Sequence, residues 1–570
     1  MESPSHRSDA QPKPSFAELF TPKLITVLRE GYGWDKLRSD IVSGLTVAIV
    51  ALPLSMAIAI ASGTTPDRGL YTAIIGGFII SALGGSRFQI GGPAGAFIVL
   101  VAATVQQHGL DGMLLATLIA GIILMAIGLL RLGTYVKFIP YPVTVGFTAG
   151  IAVIIFASQI KDLLGLTLHE AEPAELVEKL EVLFGALGTF NIAAAGLALL
   201  SIGIIVGLKR WRPGWPGMLV AVGLTAVIAL VFKLPVETIG TRFGGIPNAL
   251  PMPALPAISV EKLQAVLPNA IAFALLGAIE SLLSAVVADG MTGRRHRSNC
   301  ELVAQGIANI ASSLFGGVPA TGTIARTATN VRAGARGPVS GMLHSVFLLA
   351  FMLVAAPLAS YIPLAALAGV LAVVAWNMAE KHAVWTLLRS SRGDALVLLA
   401  TLLLTVFKDL TYGIVVGFAL AALQFINRMA KGTEVAPGAA GPLDDVADGT
   451  TPYDPAMSSD RDVVVYRISG AFFFAAASSV SAVLDRIADQ HKALVIDFSA
   501  VSLLDSTAAN AIAGVVGGAA RKGVTIYLSG AKPYVRQALA NHGVAAPGAH
   551  FADTIAEAVA RAREHRLAEA

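Results

Sequence analysis

Long apolar runs with very few charges recur between residues 41 and 431, and they limit what the chain can become. They can be read at 41–62, 70–84, 93–107, 112–131, 141–160, 191–208, 216–232, 266–289, 303–316, 323–333, 338–357, 361–378, 394–407 and 409–427. About 20 such residues cross a bilayer core as a helix, and inside lipid a helix satisfies its own backbone polar groups. The pattern therefore predicts a polytopic α-helical membrane protein with about 14 segments. Hydrophobic residues make up 55% of the chain and charged residues 14%, with a mean hydropathy of +0.71. Soluble domains carry about 25% charged residues. A net charge of only +4 gives no support to nucleic-acid binding.

Basic residues cluster in alternate connections: Arg131 and Lys137; Lys209, Arg210 and Arg212; Arg294, Arg295 and Arg297; Arg332 and Arg336; Lys381, Arg389 and Arg392. One intervening connection is acidic, with Glu170, Glu172, Glu175, Glu178 and Glu181. By the positive-inside rule both termini are expected in the cytoplasm, with residues 1–40 as an N-terminal segment and 41–431 as the membrane region. The first 20 residues have no apolar core like that of a signal peptide, so the first hydrophobic segment is expected to stay in the protein. The single cysteine, Cys300, leaves no intramolecular disulfide and reads as a small packing residue.

Composition changes after Lys431. Residues 432–460, rich in Gly, Pro, Asp, Ser and Ala, read as a linker. From 461 to 570 strand-like runs at 463–466, 493–497 and 524–528 alternate with alanine-rich helical stretches, which predicts a soluble α/β domain.

Two interrupted segments occupy related places in the two halves of the membrane region. One runs through Gly91, Gly92, Pro93, Ala94, Gly95 and Ala96; the other runs through Pro319, Gly322, Thr323, Ile324, Ala325 and Arg326. Each opens with a Gly/Pro-rich stretch and continues as a half-length apolar helix, the pattern of an inverted-repeat transporter with a site at the bilayer midplane. A helix beginning in mid-membrane aims unpaired N–H groups at that site and suits an anion. The alternative is that the glycines merely let helices approach. Glu280 is an acid within an apolar span, which points to proton coupling or to a structural ion pair with Arg326. Pro53 interrupts the first span, and Ser55 beside it is placed in the same cavity. His108 and His344 read as loop and packing residues, no metal-ligand spacing occurs, and no cofactor is implied. Neither a nucleotide-phosphate loop nor a nucleophile–base set is visible, so neither an ATP-driven pump nor an enzyme is expected.

Three stretches carry a resemblance: Pro66–Thr72, Gly91–Ala94 and Ala325–Arg332. Through them the chain resembles bacterial members of the sulfate permease family, from about residue 35 to the end. The resemblance implies seven-plus-seven inverted repeats, a core moving against a gate in elevator-like alternating access, a homodimer, and an inner-membrane location. In that family the third and tenth helices meet head-on at the anion site, completed by the first and eighth. Ala51–Ala57, Gly277–Leu283, Asp289–Gly293 and Val374–Met378 resemble the C4-dicarboxylate branch, which implies proton-coupled symport of succinate or fumarate. The alternative within the family is transport or exchange of sulfate, bicarbonate or chloride, either sodium-coupled or uncoupled. Leu54 stands where many members have a polar Gln. The C-terminal region resembles a STAS domain through Ile496–Ser499 and Leu504–Ala508, which raises Ser506 or Thr507 as a phosphorylation site; the competing reading is that Asp505 and Ser506 cap the next helix.

Overall fold

The computed structural model describes residues 16–134, 140–168, 172–173, 175–212, 215–408, 410–431, 463–468, 470–473 and 492–569. Helix fills the described membrane region. In chain order the main elements are α1 (Trp34–Ala61), α2 (Pro66–Tyr71), a π turn (Thr72–Gly76), α3 (Gly77–Leu83), β1 (Gly91–Gly92) and α4 (Ile98–Leu129). Next come α5 (Tyr141–Leu164), α6 (Ile192–Trp211), α7 (Gly217–Val231), α8 (Val260–Thr292), α9 (Ser298–Leu314), β2 (Thr321–Gly322) and α10 (Ile324–Arg332). The last membrane elements are α11 (Val339–Ala359), α12 (Leu364–Met378), α13 (Lys381–Ser390), α14 (Arg392–Phe407) and α15 (Leu410–Lys431). Among the described residues, seven helical stretches are long and apolar enough to cross a bilayer, and others are shorter.

Sequence and structure differ where a loop was expected between 107 and 112. Gly109 adopts φ 69°, ψ −176°, a conformation open essentially to glycine alone, and it breaks α4 into two legs without an intervening loop. The leg before it is a half-length helix. At nine residues α10 is about 13 Å long, again under half a membrane. Close packing holds α4 on α9: a Cβ on Gly121 would lie 2.7 Å from the Gly306 carbonyl, and one on Gly306 would lie 2.5 Å from that of Gly121. Only two glycines facing each other permit this approach.

By compactness the chain divides into two units. The first holds residues 1–136, 158–174 and 182–373; the second holds 137–157, 175–181 and 374–570. The second includes an α/β fold built on the parallel sheet β3 (Val463–Arg467), β5 (Ala493–Asp497), β7 (Thr525–Ser529) and β8 (Ala549–Ala552), in that order. A short parallel pair, β4 (Gly470–Phe472) and β6 (Val501–Leu504), lies beside it. Leu494 and Ile496 face helices α16 (Ser506–Arg521) and α17 (Pro533–Asn541), whereas Ala493 and Val495 face α18 (Ile555–Glu569). Burial on both faces explains why β5 is a continuous apolar run. The expected linker, 432–460, lies outside the described residues.

Candidate functional site

The two interrupted segments meet. β1 and β2 pair antiparallel, Gly91 with Gly322 and Gly92 with Thr321. Thr323 donates from both N and Oγ1 to the Ile90 carbonyl, at 3.0 and 3.1 Å. Ile90 N–H donates to Thr327 Oγ1 at 3.1 Å, and Asn330 Nδ2 donates to the Phe88 carbonyl at 2.9 Å. Residues 88–92 are thus laced along α10, so the starts of α4 and α10 face a common point.

Neither helix start carries a side-chain cap: the 3₁₀ turn Gly95–Phe97 that leads into α4 has none, and at α10 the Thr323 hydroxyl is used on Ile90 instead. The first N–H groups of each helix therefore keep their positive ends free for a ligand. Pro93, Ala94 and Ala96 are buried and Gly95 is half-buried, while Thr323 is buried, Ile324 is half-buried and Ala325 is exposed. Ile324 and Ala325 can contribute through backbone N–H groups.

Among the described residues Arg326 is the largest fully buried side chain, 1% exposed. Its Nη2 donates to Ser55 Oγ at 3.2 Å and to the Pro93 carbonyl at 3.1 Å. Its Nε and Nη1 have no hydrogen-bond partner. Gly92, at φ +153°, makes room for this guanidinium, because a Cβ there would lie 2.4 Å from Nη1. Ser55, Pro93 and Arg326 therefore come together as the sequence suggested. Glu280 is buried on α8. It lies within a turn of two contacts with the second interrupted segment: Thr321 Oγ1 donates to the Gly277 carbonyl at 3.1 Å, and Ser284 Oγ donates to Thr327 Oγ1 at 2.9 Å. The hydrogen bonds of the Arg326 guanidinium go to Ser55 on α1 and to the Pro93 carbonyl at the β1 exit.

Sequence reasoning passed over a buried lattice behind this point. Glu301 accepts from Gln89 Nε2 at 2.9 Å, Gln305 Nε2 at 3.0 Å and Ser86 N at 3.0 Å. The adjacency of Gln89 to the Gly91–Gly92 pair was its only signal. His344, read as a packing residue, is fully buried on α11 with no hydrogen bond at either ring nitrogen. Among the described residues no cluster could hold a metal ion.

In the second unit, Asp505 caps α16 by accepting from Ala508 N at 2.8 Å, but Ser506 does not share that role. Ser506 Oγ donates instead to the Asp394 carboxylate at the start of α14, and Tyr141 N donates to Thr507 Oγ1 at 3.4 Å. Both hydroxyls face the membrane helices, which no spacing rule predicts.

The model of the sulfate permease family matches residues 37–401, and that of the STAS domain matches 454–558. YvdB of Bacillus subtilis, named as a candidate sulfate transporter, is 43% identical over 490 residues, covering 85% of this chain and 89% of its own. The bicarbonate transporter BicA of Synechocystis is 32% identical over 517 residues, covering 88% and 90%. The solved transmembrane domain of a cyanobacterial BicA superposes with TM-score 0.61 at 34% identity, covering 67% of this chain and 98% of that one.

These relatives are named for sulfate and bicarbonate, which does not support the dicarboxylate branch. Within 289–293, one of the stretches that resemble that branch, Asp289 accepts from His296 N at 3.0 Å and Gly293 ends α8 at φ +67°. Head-on half-helices around a buried arginine, and family matches over both parts of the chain, place the protein: it is a multi-pass membrane anion transporter of the sulfate permease family with a C-terminal STAS domain.

Proposed function

We propose that the chain is a secondary transporter of small inorganic oxyanions of the sulfate and bicarbonate class, with the anion docked where α4 and α10 begin. The observation that carries this reading is Arg326, buried with Nε and Nη1 unpartnered beside two uncapped helix starts. A buried cation without a counter-charge costs several kcal/mol, which an arriving anion offsets. The guanidinium offers an oxyanion a full positive charge with N–H donors still free at Nε and Nη1, and each helix end adds about half a positive charge. The names of YvdB and BicA support the same substrate class.

Glu280 is proposed as the coupling residue. A carboxylate near the site opposes a second negative charge, so anion loading and neutralisation of Glu280 by a proton favour each other. The test is uptake of labelled sulfate and bicarbonate into proteoliposomes, with and without an alkaline interior. Accumulation of either anion by the parent, abolished in Glu280→Gln while equal-pH counterflow persists, supports the reading. Gradient-driven accumulation that survives in Glu280→Gln removes Glu280 from coupling. Accumulation of fumarate in place of both inorganic anions would sink the substrate class.

A further inference from the structure

Helix α13 is separated from α12 by Ala379 and Glu380, the latter breaking the helix at a left-handed φ of +39°, and from α14 by Ser391 alone. Its neighbours are apolar helices read as spans, so connectors this short hold α13 at the bilayer surface. Its two faces differ. Ala383, Val384, Leu387 and Leu388 pack with Tyr141, Val145 and Leu398. Lys381, His382, Trp385 and Arg389, spaced at one and two turns, are exposed. Trp385 is 55% exposed, and Trp376 at the end of α12 is 67% exposed.

On this face the cations rest on aromatic rings. Lys381 Nζ lies 2.9 Å from the Trp376 ring centroid, and Arg389 Cζ lies 4.0 Å from that of Trp385. Among the described residues neither cation is in an ion pair. Arg392 is exposed just beyond them, and Glu380 is the one acid exposed on this stretch. Tryptophan favours the headgroup level of a bilayer, and an amphipathic helix with cations on its polar face lies in that plane. Arginine's fork fits a phosphate, and lysine adds a point charge.

We infer that the exposed face of α13, with Trp376, is a binding site for anionic phospholipid headgroups, clamped by Lys381 and Arg389 and seated on Trp376 and Trp385. The bilayer is chosen over a protein partner because both flanking helices are apolar segments read from the sequence as spans and the exposed charge is cationic. The site also adjoins the soluble domain, since Ser390 Oγ at the end of α13 lies 3.4 Å from Ser506 Oγ.

The test uses the full chain in phosphatidylcholine vesicles that contain the same fraction of brominated phosphatidylglycerol or brominated phosphatidylcholine. Tryptophan quenching is read against a Trp376→Phe/Trp385→Phe background, which subtracts the other three of the five tryptophans. Brominated phosphatidylglycerol should quench the pair more strongly, and the preference should fall about fivefold for each cation removed in Lys381→Gln and Arg389→Gln. Lys381→Arg with Arg389→Lys should keep it, which separates lost charge from a damaged helix. Equal quenching by the two lipids, or a preference that survives the double glutamine variant, would overturn the assignment. So would shielding of both tryptophans from both lipids, as a second copy of the chain on this face would produce. A charge-keeping swap that behaves like the glutamine pair would trace the effect to folding and overturn it too.

Discussion

The Arg326 guanidinium has one of its three nitrogens hydrogen-bonded and the other two buried without partners, which is costly. The sequence singled out Arg326 by its place after a Gly/Pro-rich stretch, and left open whether it faces an anion or pairs with Glu280. Which of two nearby elements an arginine reaches depends on helix rotation, which residue spacing does not encode. Ser55 supplies the first helix's hydrogen bond to Arg326. Gly92 was legible only as part of a motif; its role follows from Nη1 lying where its Cβ would stand. Gly92→Ala should displace the guanidinium and weaken sulfate binding about tenfold, with a stability cost of about 1–3 kcal/mol from overpacking. Calorimetric titration with sulfate checks this, and unchanged affinity would show that Gly92 merely permits helix packing.

At the scale of elements, the half-helices were legible because Gly and Pro interrupt an apolar pattern sharply. The two-residue pairing of β1 with β2 was not, since a strand so short has no periodicity to read. In the soluble domain the three strands rich in Val and Ile were anticipated, whereas β8, Ala549–Ala552, has no β-branched residue and gave no signal. The start of α16 shows the same limit: its cap at Asp505 is local and readable, and the Ser506–Asp394 bond spans 112 positions. Ser506→Ala removes a hydrogen bond to a buried carboxylate, worth about 1.5–3 kcal/mol. Amide exchange over the first turn of α16 should then quicken by roughly ten- to a hundredfold at constant pH. If exchange there is unchanged, the bond does not hold the turn in solution.

For the whole molecule, apolar runs were sufficient for a polytopic helical membrane region and alternating strand and helix signals for an α/β tail, because lipid leaves few architectures open. The substrate was not legible: stretches that resemble a dicarboxylate branch stand in a chain whose relatives are named for sulfate and bicarbonate. The side-chain hydrogen bonds of Arg326 go to Ser55 and Pro93, so the proposed anion site draws no hydrogen bond to this arginine from the soluble domain. A chain ending at residue 435 should bind sulfate within about threefold of the parent's affinity, a change under 1 kcal/mol. A stable truncated protein that binds no anion would show that the soluble domain helps to build the site.

The central claim is that an inorganic anion is held by Arg326 where the two half-helices meet, and it is tested most directly by sulfate and bicarbonate binding to purified Arg326→Ala. Losing a charged donor pair should weaken the bound anion about 10- to 100-fold while the thermal unfolding profile stays that of a folded protein. Helix ends alone would account for the residual affinity. Parent-like affinity in a folded Arg326→Ala protein would contradict the account, because the anion would then be bound somewhere other than the crossing of α4 and α10.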